Sequence, residues 1–141
     1  MRVMVFVKGD PTSEAGQLPD EGLVDAMTSF NEDLVRAGVM LAGDGLHPSS
    51  KGVRVRFDGD RRTVIDGPFS EAKELVAGYW IWQVRSLDEA VEWLKKAPFD
   101  GGTEVEIRTI FESEDFLADG GYDKSIRERE DRIKVALADR Q

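Results

Sequence analysis

The feature that most restricts the fold is the way two amphipathic helical patterns alternate with short strand-like segments. The first helical pattern begins at Asp20, and its apolar residues recur at spacings of three, four and seven: Leu23, Val24, Met27, Phe30, Leu34 and Val35. Gly38 follows where a left-handed C-cap belongs. The second pattern begins at Ser86, a predicted N-cap, and Glu89 completes a capping box. Pro98 ends this second helix.

The strand-like segments fall at 2–7, 39–42, 53–57, 63–65, 76–84 and 103–110. A polar loop is expected between the first strand and the first helix, as far as Pro19. The run Asp58-Gly59-Asp60 is a hairpin signal, so the third and fourth strands should pair antiparallel. The resulting order is strand, helix, strand, hairpin, strand, helix, strand. This order predicts an α+β fold, a ferredoxin-like plait with both helices on one face of the sheet.

An aromatic strand raises the question of what covers the other face. Tyr79, Trp80 and Trp82 lie in the segment 76–84, and alternation puts the two tryptophans on one face with Tyr79 on the other. Core packing, packing in a dimer, and lining of a small-molecule pocket are all open interpretations. If these aromatic residues line the face without helices, that face is too apolar for water, which predicts a homodimer.

Length and charge limit the classes of protein and partner. A chain of 141 residues fits one α+β domain, 1–111, followed by a C-terminal segment, 112–141, with a charged helix over 124–137. This helix has only a narrow apolar stripe, so it should lie on the body or on a partner subunit, or fray. The net charge of -9 disfavours direct nucleic-acid binding. No apolar run reaches membrane-spanning length, and a cytoplasmic location is expected.

Asp66-Gly67-Pro68-Phe69 is interpreted first as a rigid corner. Gly67 is free in backbone conformation, Pro68 fixes its own φ, and Phe69 can anchor the turn in the core. Glu71, Lys73 and Glu74 follow at once. Charges this dense can tune one another's pKa, so a reaction or ligand site is the alternative to a solvated turn.

His47 is the only histidine, and it lies in a Gly/Pro/Ser-rich loop. It is either a surface residue or the natural general base of a site. With one histidine and no cysteine, zinc-type and thiolate sites have no ligand set, and no calcium-loop spacing occurs. No phosphate-binding glycine motif is present, so neither a metal nor a nucleotide cofactor is expected.

Four sequence blocks resemble the YCII-related proteins of the DGPF type. They are FNEDLVRAGV at 30–39, GDGLHPSSKG at 43–52, DGPFSEAKE at 66–74 and GYW at 78–80. The resemblance covers residues 1–111, and the C-terminal segment is similar to that of extended members. It implies a dimeric α+β barrel in which two plait sheets pack face to face.

Three hypotheses for function stay open, and the resemblance implies the chemistry of the first and the regulatory link of the second. The first is a metal-free acid–base enzyme, a hydrolase, lyase or isomerase, acting on a small polar metabolite. His47 would be its general base and Asp66 would orient His47; the substrate-binding residues would be Arg54, Glu71, Lys73, Glu74 and Tyr79. The second is a non-catalytic sensing or accessory module, linked to extracytoplasmic-function sigma factors through a regulatory protein partner. The third is a structural dimer in which the DGPF corner is only architecture.

Overall fold

The computed structural model describes residues 1–116 and 123–140, apart from the side chains of Lys73 and Phe116. The chain divides into two compact units, Met1–Thr109 and Ile110–Gln141. The strands of the first unit are β1 (Arg2–Lys8), β2 (Met40–Gly45), β3 (Val53–Asp58), β4 (Arg61–Asp66), β5 (Val76–Gln83) and β6 (Val105–Thr109). Its helices are α1 (Pro11–Glu14), α2 (Glu21–Arg36) and α3 (Leu87–Leu94). Short 3-10 helices span Ser49–Lys51 and Ala72–Glu74.

Four strands form one antiparallel sheet in the order β2-β5-β1-β6. This order, with α2 after β1 and α3 after β5, is the ferredoxin-like plait that the sequence predicts. β3 and β4 form a separate two-stranded antiparallel ribbon, which confirms the predicted hairpin. In the ribbon Val55 pairs with Val64, and Phe57 is 71% exposed.

The core lies between the sheet and its helices. Val3 pairs with Trp82 and Val5 with Trp80, and all four side chains are buried. Phe30 of α2 contacts both tryptophans edge-on, with ring centroids 5.8 Å from Trp80 and 6.3 Å from Trp82. The core-packing interpretation of the two tryptophans is therefore confirmed, and neither tryptophan lines the face without helices.

The opposite sheet face carries no helix of the first unit. Its centre consists of half-buried side chains that pair across the two central strands, Met4 with Ile81 and Phe6 with Tyr79. We call this the open face. Of the three aromatic residues of β5, only Tyr79 lies on it, because Trp80 and Trp82 alternate to the core.

Local signals fix the helix ends with two departures from the sequence analysis. Asp20 caps α2 by accepting the Leu23 N–H. Gly38 has a φ of 73° beyond the end of α2, as predicted. The expected loop before Pro19 instead contains α1, which Asp10 caps through Ser13. At α3, Ser86 accepts from the Glu89 N–H, but the Glu89 carboxylate receives the Arg85 N–H, so only half of the predicted capping box forms.

The second unit contains the 3-10 helix Ser113–Phe116 and helix α4 (Lys124–Ala138). Asp123 caps α4 by accepting the Ser125 N–H, and this hydrogen bond lowers the pKa of the Asp123 carboxyl. Within the unit, Lys134 Nζ donates to Ser113 Oγ at 2.8 Å. Ile126, Ile133 and Leu137 of α4 are exposed, and the predicted packing of this helix on the body or a partner subunit stays a prediction.

Candidate functional site

The DGPF corner is held against the loop that follows β2. The Gly67 N–H donates to the Gly52 carbonyl at 3.0 Å, and the Phe69 N–H donates to Ser49 Oγ at 3.0 Å. The Gly67–Pro68 peptide bond is cis. A Cβ at Gly67 would lie 1.7 Å from the Ser49 carbonyl oxygen, so the two backbones touch where only glycine fits. The predicted turn is confirmed, and its partner is a loop distant in sequence.

Ser49 is in turn fixed by the end of α1. The Glu14 carboxylate accepts the Ser49 N–H at 3.0 Å through Oε1 and the Ser49 hydroxyl through Oε2. Neither Glu14 nor Ser49 is a predicted site residue. A serine in a Pro/Ser loop and a glutamate 35 residues earlier carry no sequence signal that they meet.

Arg54 contacts the same corner through the aromatic ring of Phe69. Its guanidinium carbon lies 3.7 Å from the centroid of the Phe69 ring, within the range of a cation–π contact. Arg54 belongs to β3, and Phe69 follows β4, so this contact ties the ribbon to the DGPF corner. Arg54, one of the predicted substrate-binding residues, therefore lies beside the corner, and the residue is exposed.

His47 and Asp66 are carried by the two loops that meet. His47 precedes Ser49 by two residues and is exposed, and Asp66 is the last residue of β4 and also exposed. Across the described part of the chain, no hydrogen bond or ion pair joins the two side chains. Their pairing as base and orienting acid stays a prediction.

The remaining predicted residues divide between the corner and the open face. Glu71 precedes the 3-10 helix Ala72–Glu74, Glu74 is its last residue, and both are exposed. The Glu74 N–H donates to the Glu71 carbonyl at 2.9 Å. The Lys73 side chain lies outside the described residues. Tyr79 lies on the open face and donates its hydroxyl to Asp44 Oδ2 at 3.1 Å.

Asp44 is a polar residue of this region that the sequence analysis missed. It is the cross-strand partner of Tyr79 in the β2–β5 pairing. A carboxylate directly opposite a tyrosine is visible only once the strand register is known, and β2 has an irregularity between Met40 and Ala42 that shifts this register. The hydrogen bond to Asp44, and next its negative charge, raise the pKa of the Tyr79 hydroxyl.

Asp44→Asn should return the pKa of Tyr79 toward the ordinary tyrosine value of about 10, because the amide removes the charged acceptor. Because the folded-state pKa is the higher one, the stability from this contact is complete below the unfolded-state pKa. It is lost as pH rises through the folded-state pKa. Ultraviolet titration in a Tyr122→Phe background isolates Tyr79, since the chain has two tyrosines. Asp58→Asn is the control, and coincident titrations of Asp44→Asn and its parent would contradict the assignment.

One open depression of about 680 Å³ lies elsewhere on the first unit. It is lined by α2 and the start of β2: Thr28, Asn31, Glu32, Val35, Arg36 and Met40. None of the predicted site residues lines it. The surface depression and the predicted site residues therefore lie in different parts of the first unit. We favour the DGPF corner as the binding site, because its loops are fixed by hydrogen bonds while the depression is a wide surface feature.

No group of three or more His, Asp or Glu side chains in residues 1–116 and 123–140 is arranged to hold a metal ion. None of the helices in these ranges combines the length and apolar content needed to cross a membrane.

The fold and the corner define an α+β protein of the ferredoxin-like class, with polar groups gathered where the β2 loop meets the end of β4. The chain belongs to the YCII-related family, because the YCII-related domain matches residues 1–114. An uncharacterized protein of Rhizobium meliloti (strain 1021) is 27% identical over 93 residues, which cover 66% of this chain and 75% of that relative.

A solved structure with weak similarity is 5-chloro-2-hydroxyhydroquinone dehydrochlorinase (TftG) from Burkholderia phenoliruptrix AC1100, in complex with 2,5-dihydroxybenzoquinone. It is 18% identical, with a TM-score of 0.38, and the match covers 81% of this chain and 98% of that one. A similarity this weak says nothing about what the present chain binds.

Proposed function

We propose that this YCII-related protein binds a small polar metabolite at the DGPF corner. The observation that carries the proposal is the backbone contact between Gly67 and Ser49, which brings the loops of His47 and Asp66 side by side. Arg54 adds a cation at the same corner through its stacking on Phe69. Groups held in place before the ligand arrives lose less entropy on binding, which favours such a corner over a mobile loop.

The chemical part of the proposal assigns acid–base roles. His47 acts as the general base, and Asp66 orients it once a ligand closes the gap between the two exposed side chains. Apo geometry does not exclude this pairing, since catalytic hydrogen bonds often tighten only in the complex. Arg54, Glu71, Lys73, Glu74 and Tyr79 are the proposed substrate-binding residues.

Binding should be tested by calorimetry with a panel of small carboxylic acids, amino acids and phosphate esters. His47→Ala and Asp66→Asn should each weaken the binding of a panel ligand by tenfold or more, about 1.4 kcal/mol, because each removes a polar contact. Asp58→Asn is the matched control, since Asp58 lies at the other end of the ribbon, opposite Arg61. Equal affinity in Asp66→Asn and Asp58→Asn would remove Asp66 from the site.

A second proposal is a non-catalytic sensing module linked to extracytoplasmic-function sigma factor regulation. The observation that favours it is the exposed apolar stripe of α4, Ile126, Ile133 and Leu137, a surface suited to a regulatory protein. The two proposals differ in the fate of the ligand. A bound panel compound that changes chemically over hours, and stays unchanged with His47→Ala, identifies the enzyme; one that never changes identifies the sensor.

We also propose that the protein is a homodimer. The ribbon exposes Val53, Val55, Phe57 and Val64, between 47% and 71% of each side chain, and a two-stranded ribbon alone is marginally stable in water. The open face adds Met4, Phe6 and Ile81 to the apolar surface without a partner in the first unit. A second copy would cover both surfaces, consistent with the dimeric α+β barrel that the family resemblance implies.

Ile81→Glu should convert the dimer to a monomer, because it places a charge at the centre of the open face. Sedimentation velocity measures the change directly. Leu87→Glu is the control, because Leu87 is 47% exposed on α3, on the other side of the sheet. The Leu87→Glu variant should stay dimeric. A monomeric wild type, or an Ile81→Glu dimer of unchanged affinity, would contradict this interface.

A further inference from the structure

Glu14 occupies an unusual place for an acidic residue at the end of a four-residue helix. It is the last residue of α1, it is half-buried, and both of its carboxylate oxygens point to a loop 35 residues away. Oε1 accepts the Ser49 N–H at 3.0 Å, and Oε2 accepts the Ser49 hydroxyl. The Asp10–Ser13 capping box fixes α1 itself, so the carboxylate is presented from a defined backbone.

The Ser49 hydroxyl has both of its roles occupied. It donates its proton to Glu14, and it accepts the Phe69 N–H at 3.0 Å. A hydroxyl rotates freely unless a partner fixes its proton, and a charged acceptor fixes it more strongly than a neutral one. Because the Ser49 hydroxyl donates its hydrogen bond to Glu14, a lone pair of the Ser49 oxygen stays directed at the Phe69 N–H.

Glu14 thereby acts on both loops that carry the proposed binding groups. Ser49 is two residues after His47, and Phe69 is three residues after Asp66. One carboxylate on α1, through one hydroxyl, joins these loops at the point where the Gly67 and Ser49 backbones touch. Glu14 itself contacts neither His47 nor Asp66 through any hydrogen bond or ion pair in residues 1–116.

We propose that Glu14 is a positioning residue of the corner site: through Ser49 it sets the distance between the His47 loop and the DGPF corner. This inference rests on the proposed function, because a positioning role presupposes a site to position. A merely structural Glu14 would contribute to stability without changing the surroundings of His47.

The test is made by NMR on the ligand-free protein, with Glu14→Ala, Glu14→Gln and the control Glu21→Ala. Glu21 is an exposed carboxylate in the first turn of α2. In Glu14→Ala, the Ser49 amide loses its charged acceptor, and the Phe69 amide keeps only a Ser49 hydroxyl whose orientation is no longer fixed. Both amides should therefore exchange hydrogen roughly tenfold faster, while amides of the central strand β5 keep their rates. The His47 imidazole signal should move toward its position in the urea-unfolded chain.

Glu14→Gln keeps one acceptor oxygen, so the faster exchange and the His47 shift should both be smaller than in Glu14→Ala. Glu21→Ala should show neither effect. Unchanged exchange at Phe69 in Glu14→Ala would overturn the connection through Ser49. Faster exchange with an unmoved His47 signal would overturn the positioning role and leave a structural hydrogen bond. These NMR readouts need no ligand, so they are independent of the calorimetric panel. A wild type that binds no panel compound would contradict the proposed function, while the hydrogen-bond connection from Glu14 through Ser49 to Phe69 would still stand.

Discussion

Gly67→Ala should destabilise the first unit by about 3 kcal/mol or more, at the upper end of what one added methyl group costs. The new Cβ would lie 1.7 Å from the Ser49 carbonyl oxygen and 2.6 Å from its carbon. Both atoms are backbone, so no side-chain rotation can relieve the overlap. The corner would have to leave the loop, losing the Phe69 N–H bond to Ser49 Oγ and the Gly67 N–H bond to Gly52.

Urea unfolding measures this change in free energy, and Gly52→Ala is the matched control. A Cβ at Gly52 would lie 3.5 Å from the same Ser49 oxygen, an ordinary contact, and the backbone there is extended at a φ of -111°. Its cost should stay below about 1 kcal/mol, since alanine also lowers the entropy of the unfolded chain. Equal midpoints for the two variants would show that the corner does not press against the loop.

Trp82→Ala should destabilise the same unit by about 3–5 kcal/mol, the usual cost of removing a large aromatic side chain from a core. Trp82 is fully buried, pairs with Val3 across the sheet and contacts the rings of Phe30 and Trp80. Its removal opens a cavity between the sheet and α2 that rigid neighbours fill only in part.

Trp82→Phe tests how much of the cost of Trp82→Ala comes from the lost side-chain volume. The Trp82 indole N–H is buried and has no hydrogen-bond partner among the described residues, so phenylalanine removes an unpaired donor along with some volume. The cost should therefore be less than half that of alanine. A urea midpoint of Trp82→Ala within error of the wild type would place Trp82 outside the core.

The elements whose signals are local can be predicted from the sequence. The spacing of Phe30 and Leu34 in α2 and the turn signal at Asp58-Gly59-Asp60 each report on neighbours within a few residues. Gly67 and Pro68 mark a corner for the same reason. The four-residue helix α1 was missed, because a segment this short has no apolar period to detect.

The contacts that build the site are long-range, and no local pattern encodes them. Glu14 and Ser49 are 35 residues apart, as are Asp44 and Tyr79, and each pair depends on chain path or strand register. Alternation along β5 puts Trp80 and Trp82 on the same face of the sheet, but it does not say which face α2 covers. Their burial against Phe30 of α2 is therefore visible only in the structure. The site residues predicted near the corner rest on the density of charges beside the DGPF motif and on the family resemblance, and their roles depend on a ligand.

Binding of a small polar metabolite at the corner can be located residue by residue by NMR mapping of the wild type with the ligand panel. A binding compound should shift the His47 imidazole together with the backbone amides of the non-proline residues in 46–52 and 66–69, and leave α3 unchanged. Shifts confined to Thr28, Asn31 and Val35 at the depression beside α2, or no shift with any compound, would contradict it.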